Sequence, residues 1–147
     1  MVQSRGLGDV YKRQDFLLGR ISPNISVSLR EPDSDVLVQY YDYLSGLEWL
    51  TPEWLIICGH DWHYFDGARR ARQLITHHNH RLEQLVNIDE PQTTADAITT
   101  LFPMELTDHE IYFASREARA HLNHLVTRGE LWRENSNGVA VFSRTGT

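Results

Sequence analysis

Residues 54–67, WLIICGHDWHYFDG, carry an apolar run that stops at Gly59-His60-Asp61 and is followed by a second histidine, His63. A neutral imidazole is a favoured transition-metal donor and titrates near neutral pH, so a histidine beside a carboxylate can ligate a cation or relay a proton. Layered folds place such groups at the tips of buried strands, where His60 would lie. The plainer reading is a loop histidine bonded to a backbone carbonyl. His63 and Asp61 are expected to support or solvate the site rather than enlarge it. Trp62, His63 and Tyr64, with Phe65, could wall a substrate pocket. A second carboxylate, Asp15, opens the run Asp15-Phe-Leu-Leu-Gly19. His77, His78 and His80 form a third group, but His78 falls on an apolar stripe and reads as packed, the others as solvated. Ser22 has no assignable acid–base partner and reads as turn chemistry.

The elements that must hold these groups follow from periodicity and capping. Residues 16–19 read as a short strand and Arg20-Ile-Ser-Pro-Asn24 as a loop. Residues 25–29 alternate apolar and polar, as either a strand or a loop with one buried edge would. Pro32-Asp33-Ser34-Asp35 supplies helix-start oxygens, and Leu37, Tyr40, Tyr41, Leu44, Leu47 and Leu50 follow at helical spacing, so a helix is expected over 35–50. Residues 54–58, bounded by Pro52 and Gly59, read as a buried strand. Gly67 or Ala68 opens a long helix with Ala71, Leu74, Ile75, His78, Leu82, Leu85 and Val86 on one stripe, ending at Asp89-Glu90-Pro91.

Beyond it, Thr93-Thr94 caps a short helix that Pro103 ends. Thr107-Asp108 caps a longer one over 110–128, with Ile111, Ala114, Ala118, Leu122, Leu125 and Val126 inward and Gly129 as its C-terminal cap. Asn137-Gly138 between two apolar-alternating runs predicts a hairpin. Helix, helix and hairpin in this order outline a winged helix-turn-helix module. The expected division is a leader over 1–14, a partial domain over 15–66, a connecting helix over 67–88 and the winged-helix domain over 89–147.

Composition bounds the classes. The chain has 147 residues, is 41% hydrophobic and 23% charged, and carries a net charge of −6 with eight histidines. It has no broad basic surface for a phosphate backbone, and no apolar run long enough for a membrane span. The single cysteine, Cys58, excludes an internal disulfide and a cysteine-built zinc cluster. Without an apolar leader core the expected location is the cytoplasm. The run Asp9-Val-Tyr-Lys-Arg-Gln14 reads as the translation of a transposon end used in sequencing libraries, so residues 1–14 are expected to be a non-native leader and the native chain to begin near Asp15.

Taken together, Asp15-Phe-Leu-Leu-Gly-Arg-Ile-Ser-Pro-Asn24, a helix, Ile57-Cys-Gly-His60-Asp, a long helix bearing His77-His78 and Arg81-Leu82, and a helix-helix-hairpin module resemble the C-terminal half of a metallo-β-lactamase-fold hydrolase. More narrowly, they resemble the glyoxalase-II-like subgroup that ends in a β-lactamase-associated winged-helix domain. The resemblance implies an α+β chain: the C-terminal half of an αββα sandwich followed by a winged helix. It also implies two zinc ions in the intact parent, with Asp15 as the bridging carboxylate and His60 as the last imidazole ligand. Such metals acidify a bound water for attack on an ester, thioester or phosphodiester. The His-x-His-x-Asp-His motif and a further histidine of that family have no counterpart here, and Gln14 stands where the family has glycine. The fragment alone is therefore expected to be inactive.

The implied partner is a small-molecule substrate of the parent, with self-association open and no membrane. The alternative reading is a nucleic-acid-binding winged helix or an RNA-processing nuclease. Arg116, Arg119, Arg128, His121 and His124 on the 110–128 helix favour it, but residues 87–147 hold five arginines against nine carboxylates, which disfavours phosphate binding. A half-sandwich also leaves residues 35–58 short of packing partners, so proteolysis is expected to spare residues 89–147.

Overall fold

The computed structural model describes residues 16–60 and 62–146. In chain order the elements are helix α1 (Val36–Ser45), strands β1 (Leu55–Ile56) and β2 (Tyr64–Phe65), helix α2 (Gly67–Val86), strand β3 (Gln92–Thr93), helices α3 (Thr94–Leu101) and α4 (Asp108–Thr127), and strands β4 (Leu131–Ser136) and β5 (Val139–Arg144). The chain divides into two compact units. Of the described residues, one unit holds those up to Pro23 and those of 42–76; the other holds Asn24–Tyr41 and those from His77 onward.

In the first unit Leu17, Leu18, Leu44, Leu47, Leu50, Cys58, Ala68, Ala71 and Leu74 are buried. Residues 16–19 form bends rather than the expected strand. Their carbonyls are taken by side-chain donors, described below, so no ladder forms. The expected buried strand over 54–58 shrinks to Leu55–Ile56, paired antiparallel with β2 in the register Leu55↔Phe65 and Ile56↔Tyr64. Leu55 is 49% and Ile57 60% exposed. An apolar run shows that a segment can be buried but not what buries it, and β2 is its only strand neighbour among the described residues. The expected helix over 35–50 stops at Ser45, before Gly46; Leu47 and Leu50 remain buried in the tight turns that follow.

The second unit packs α3, α4 and the end of α2 with a three-stranded antiparallel sheet of order β3-β5-β4. Each helix start is satisfied by side chains. Asp35 accepts from the Val38 N–H at 3.0 Å ahead of α1. Thr93 with Asp96, and Thr107 with Glu110, form reciprocal capping boxes at α3 and α4. Those backbone and hydroxyl bonds hold both carboxyls below the usual glutamate and aspartate range. At the end of α4 the Gly129 N–H reaches Val126 O and the Glu130 N–H reaches Leu125 O, both at 3.0 Å, closing the helix with paired C-terminal bonds.

β4 and β5 pair from Leu131↔Arg144 to Ser136↔Val139. The intervening Asn137 and Gly138 have φ of 53° and 84°, the left-handed pair that a two-residue hairpin turn requires. Phe142 and Leu131 face a core with Leu82, Leu85, Ala97, Ala118, Leu122 and Leu125. Ile111, expected inward, is instead exposed with Tyr112 and Phe113 in the first turns of α4, ahead of the stretch that the sheet and neighbouring helices cover.

Residues 24–35 run along α4 and are bonded to it repeatedly. Asn24 Nδ2 donates to Glu117 Oε2 at 3.1 Å, Arg116 Nε to Val27 O at 2.8 Å, Arg119 to Asp33 at 2.7 Å, and Asn123 Nδ2 to Pro32 O at 2.8 Å. His124 Nδ1 lies 3.0 Å from Asp35. Side chains of α4 thus satisfy the carbonyls of Val27 and Pro32, which no sheet ladder takes up.

Candidate functional site

Of the two ligands that the resemblance implies, Asp15 lies outside the described residues, as does Asp61. His60 sits in an exposed bend just beyond β1. What the structure does place is the backbone that leaves Asp15, and donors from three places converge on it. The Tyr64 hydroxyl donates to Leu17 O at 3.0 Å, and Cys58 Sγ lies 3.5 Å from the same oxygen. Arg70 on α2 donates through Nε to Leu18 O at 2.7 Å and through a terminal nitrogen to Ile21 O at 3.0 Å. The carbonyl two residues after Asp15 is thus held against the sulfur two residues before His60.

Burial pushes the Tyr64 hydroxyl well above the ordinary tyrosine range, so it remains a protonated donor at all working pH. Gly19 completes the fit. A Cβ there would meet Tyr64 Cδ1 at 2.9 Å and Trp62 O at 3.2 Å, so only glycine lets the loop lie this close to β2.

The sequence-predicted pocket residues have different surroundings. Trp62 is 75% exposed, with the Arg20 guanidinium 5.9 Å from its ring centre. His63 is exposed, and Tyr64 is half-buried with its hydroxyl committed to Leu17. Of the two ligands that the resemblance implies, His60 alone lies among the described residues, and one imidazole cannot hold a dinuclear centre.

A second constellation lies inside the other unit and joins residues distant in sequence. His78 Nδ1 and His121 Nε2 are 3.0 Å apart, and His121 Nδ1 is 2.8 Å from the Glu117 carbonyl oxygen. Glu117 forms a nearly buried ion pair with Arg81, and its other oxygen accepts from Asn24. Burial lowers His121 to about 4; for His78, burial and then the neighbouring His121, His77 and Arg81 lower it to about 2. Burial also raises Glu117, against the pull of Arg81. Tyr40 packs edge-on against His78 at 5.5 Å.

The sequence placed His78 on the apolar stripe, and it is buried there. Glu117 and His121, 39 and 43 residues away, carry no local signal of the association. The packed histidine was expected to have its ring nitrogen satisfied. One is, but Nε2 of His78 has no hydrogen-bond partner, an omission that costs about 1–3 kcal/mol in a dry interior.

The arginines of α4 and of its C-terminal cap are spent internally: Arg116 on Val27 O and the Tyr112 ring, Arg119 on Asp33 and the Phe142 ring, and the cap residue Arg128 on Glu130. Among the described residues no helix is long and apolar enough to cross a membrane.

Residues 82–145 match the family model of the metallo-beta-lactamase-like C-terminal domain. Two solved structures resemble the chain over more of its length. One is a beta-lactamase domain protein from Burkholderia ambifaria, at 35% identity and a TM-score of 0.84. The other is a metallo-beta-lactamase family protein from Thermus thermophilus, at 28% identity and a TM-score of 0.72. Each likeness covers 89% of this chain and 40% of the other, so the chain spans less than half the length of either protein. No curated protein matches it.

Proposed function

We propose that this chain is the C-terminal portion of a metal-dependent hydrolase of the metallo-beta-lactamase type, to which it contributes Asp15 as a bridging carboxylate and His60 as a terminal imidazole. The observation that carries this reading is the grip of Tyr64, Cys58 and Arg70 on residues 17–21, which ties the chain leaving Asp15 to the strand leading into His60. The match of residues 82–145 to the metallo-beta-lactamase-like C-terminal domain and the likeness to a metallo-beta-lactamase family protein support it. The finer reading is a dinuclear zinc hydrolase of the glyoxalase-II-like subgroup acting on an ester, thioester or phosphodiester, with residues 1–14 a non-native leader. Residues 89–147 form a winged helix whose arginines brace the fold instead of gripping nucleic acid.

The test is reconstitution. Residues 15–147 joined behind an N-terminal half bearing a His-x-His-x-Asp-His motif should hydrolyse a thioester or phosphodiester only with metal present. The 147-residue chain alone should not. Turnover by the chain alone would sink the proposal.

A further inference from the structure

Helices α2 and α4 bring His78, Glu117 and His121 together in the interior of the second unit, with one donor atom from each within 4.8 Å of the other two. Both histidines are fully buried and Glu117 is 5% exposed. Two imidazoles and a carboxylate are the donor set that a zinc-class cation takes in a tetrahedral site.

The protons on this cluster can be placed. His121 Nδ1 faces a carbonyl oxygen and must carry hydrogen, so its Nε2 presents a lone pair. His78 Nδ1, 3.0 Å from that lone pair, must then be the donor, which leaves a second lone pair on His78 Nε2. That nitrogen is buried and unpartnered. Native interiors rarely leave such a group unmet, and here it stands beside another imidazole and a carboxylate.

We propose that His78, Glu117 and His121 bind one divalent transition-metal cation of the zinc class, at a site distinct from Asp15 and His60. Either nitrogen of His78 can serve. A cation on Nε2 meets the orphaned lone pair directly. One shared between Nδ1 and His121 Nε2 needs those atoms to part only from 3.0 Å to about 3.3 Å, the spacing set by two metal–nitrogen bonds of about 2.0–2.1 Å. Asn24, whose Nδ2 donates to Glu117 Oε2 at 3.1 Å, helps orient the carboxylate. Arg81 is the competitor: its guanidinium holds Glu117 in the absence of metal and, with its side chain 14% exposed, can swing to solvent when the cation enters.

The test uses the 147-residue chain with Asp15→Ala and His60→Ala, stripped by chelator and titrated with Co2+. The expected result is one equivalent bound with visible d–d absorption that Zn2+ abolishes. His78→Gln or His121→Gln should lose the band while circular dichroism is kept. Arg81→Gln should tighten Co2+ at least about tenfold by removing both a competitor and a repelling charge. Absence of the band, or a band that survives both histidine substitutions, would overturn the site. If those variants do not fold, the chain carrying only Asp15→Ala and His60→Ala decides: a urea midpoint that Co2+ does not raise overturns the proposal. None of these outcomes bears on the hydrolase reading, because the residues that reading uses are already removed.

Discussion

The phenolic oxygen of Tyr64 lies 3.0 Å from the carbonyl oxygen of Leu17, and this bond fastens the first described turn of the chain to strand β2. Tyr64→Phe removes the donor and leaves the carbonyl to a sulfur neighbour, costing about 0.5–1.5 kcal/mol. Gly19→Ala drives a methyl into the Tyr64 ring and should cost more, about 1–3 kcal/mol. Urea midpoints of the two variants should therefore fall in that order. Equal midpoints would mean that the loop is not held by this contact.

Arg81 and Glu117 are nearly buried and paired. Arg81→Met leaves the carboxylate buried without its counter-ion and should cost about 3–5 kcal/mol, whereas Arg81→Met with Glu117→Leu should recover most of the loss. A denaturation cycle in the metal-free protein measures the difference. Additive losses would show that the pair is not coupled.

The buried histidines set a pH dependence. His78 and His121 are held neutral when folded, at about 2 and about 4, but the unfolded chain takes up protons near 6.5. Below that value the unfolded state binds more protons, so stability is full above about pH 6.5 and declines as the pH falls toward 4. Glu117, raised in the fold, works in the opposite sense, but it is one group against two. Chelated protein should lose a few kcal/mol between pH 7 and 4, read as a falling urea midpoint. A flat or rising profile would contradict the burial of the pair.

Gly138 sits at φ 84° in the turn between β4 and β5. Gly138→Ala forces a side chain into the left-handed region and should destabilise the hairpin by about 1 kcal/mol, with Trp132 fluorescence reporting the loss. Asn137→Ala should act in the same direction.

Local signals made much of this fold legible. The stripe from Ala71 to Val86, the caps at Thr93 and Thr107, Gly129 and Asn137-Gly138 each encode their own geometry within a few residues, and each appears where expected. Residues 54–58 misled because an apolar run is silent about its partners, and Leu55 and Ile57 lie exposed. Residues 16–19 misled because their carbonyls bond to the side chains of Tyr64 and Arg70, which no nearby residue announces. The meeting of His78 with His121 was out of reach for the same reason: each looks like an ordinary helix residue until tertiary packing brings the two helices together. The roles proposed for Asp15 and His60 rest on resemblance to a family rather than on periodicity.

The most direct measurement of the central claim is kcat/KM for the reconstituted hydrolase, residues 15–147 behind a motif-bearing N-terminal half, with His60→Ala set against His63→Ala. Loss of even a supporting partner of a metal ligand costs about 10–100-fold, so loss of His60 itself should lower kcat/KM by at least about 100-fold together with bound metal. His63→Ala should change it by less than about tenfold. Comparable losses in both, or full activity without His60, would contradict the assignment of His60 as a ligand.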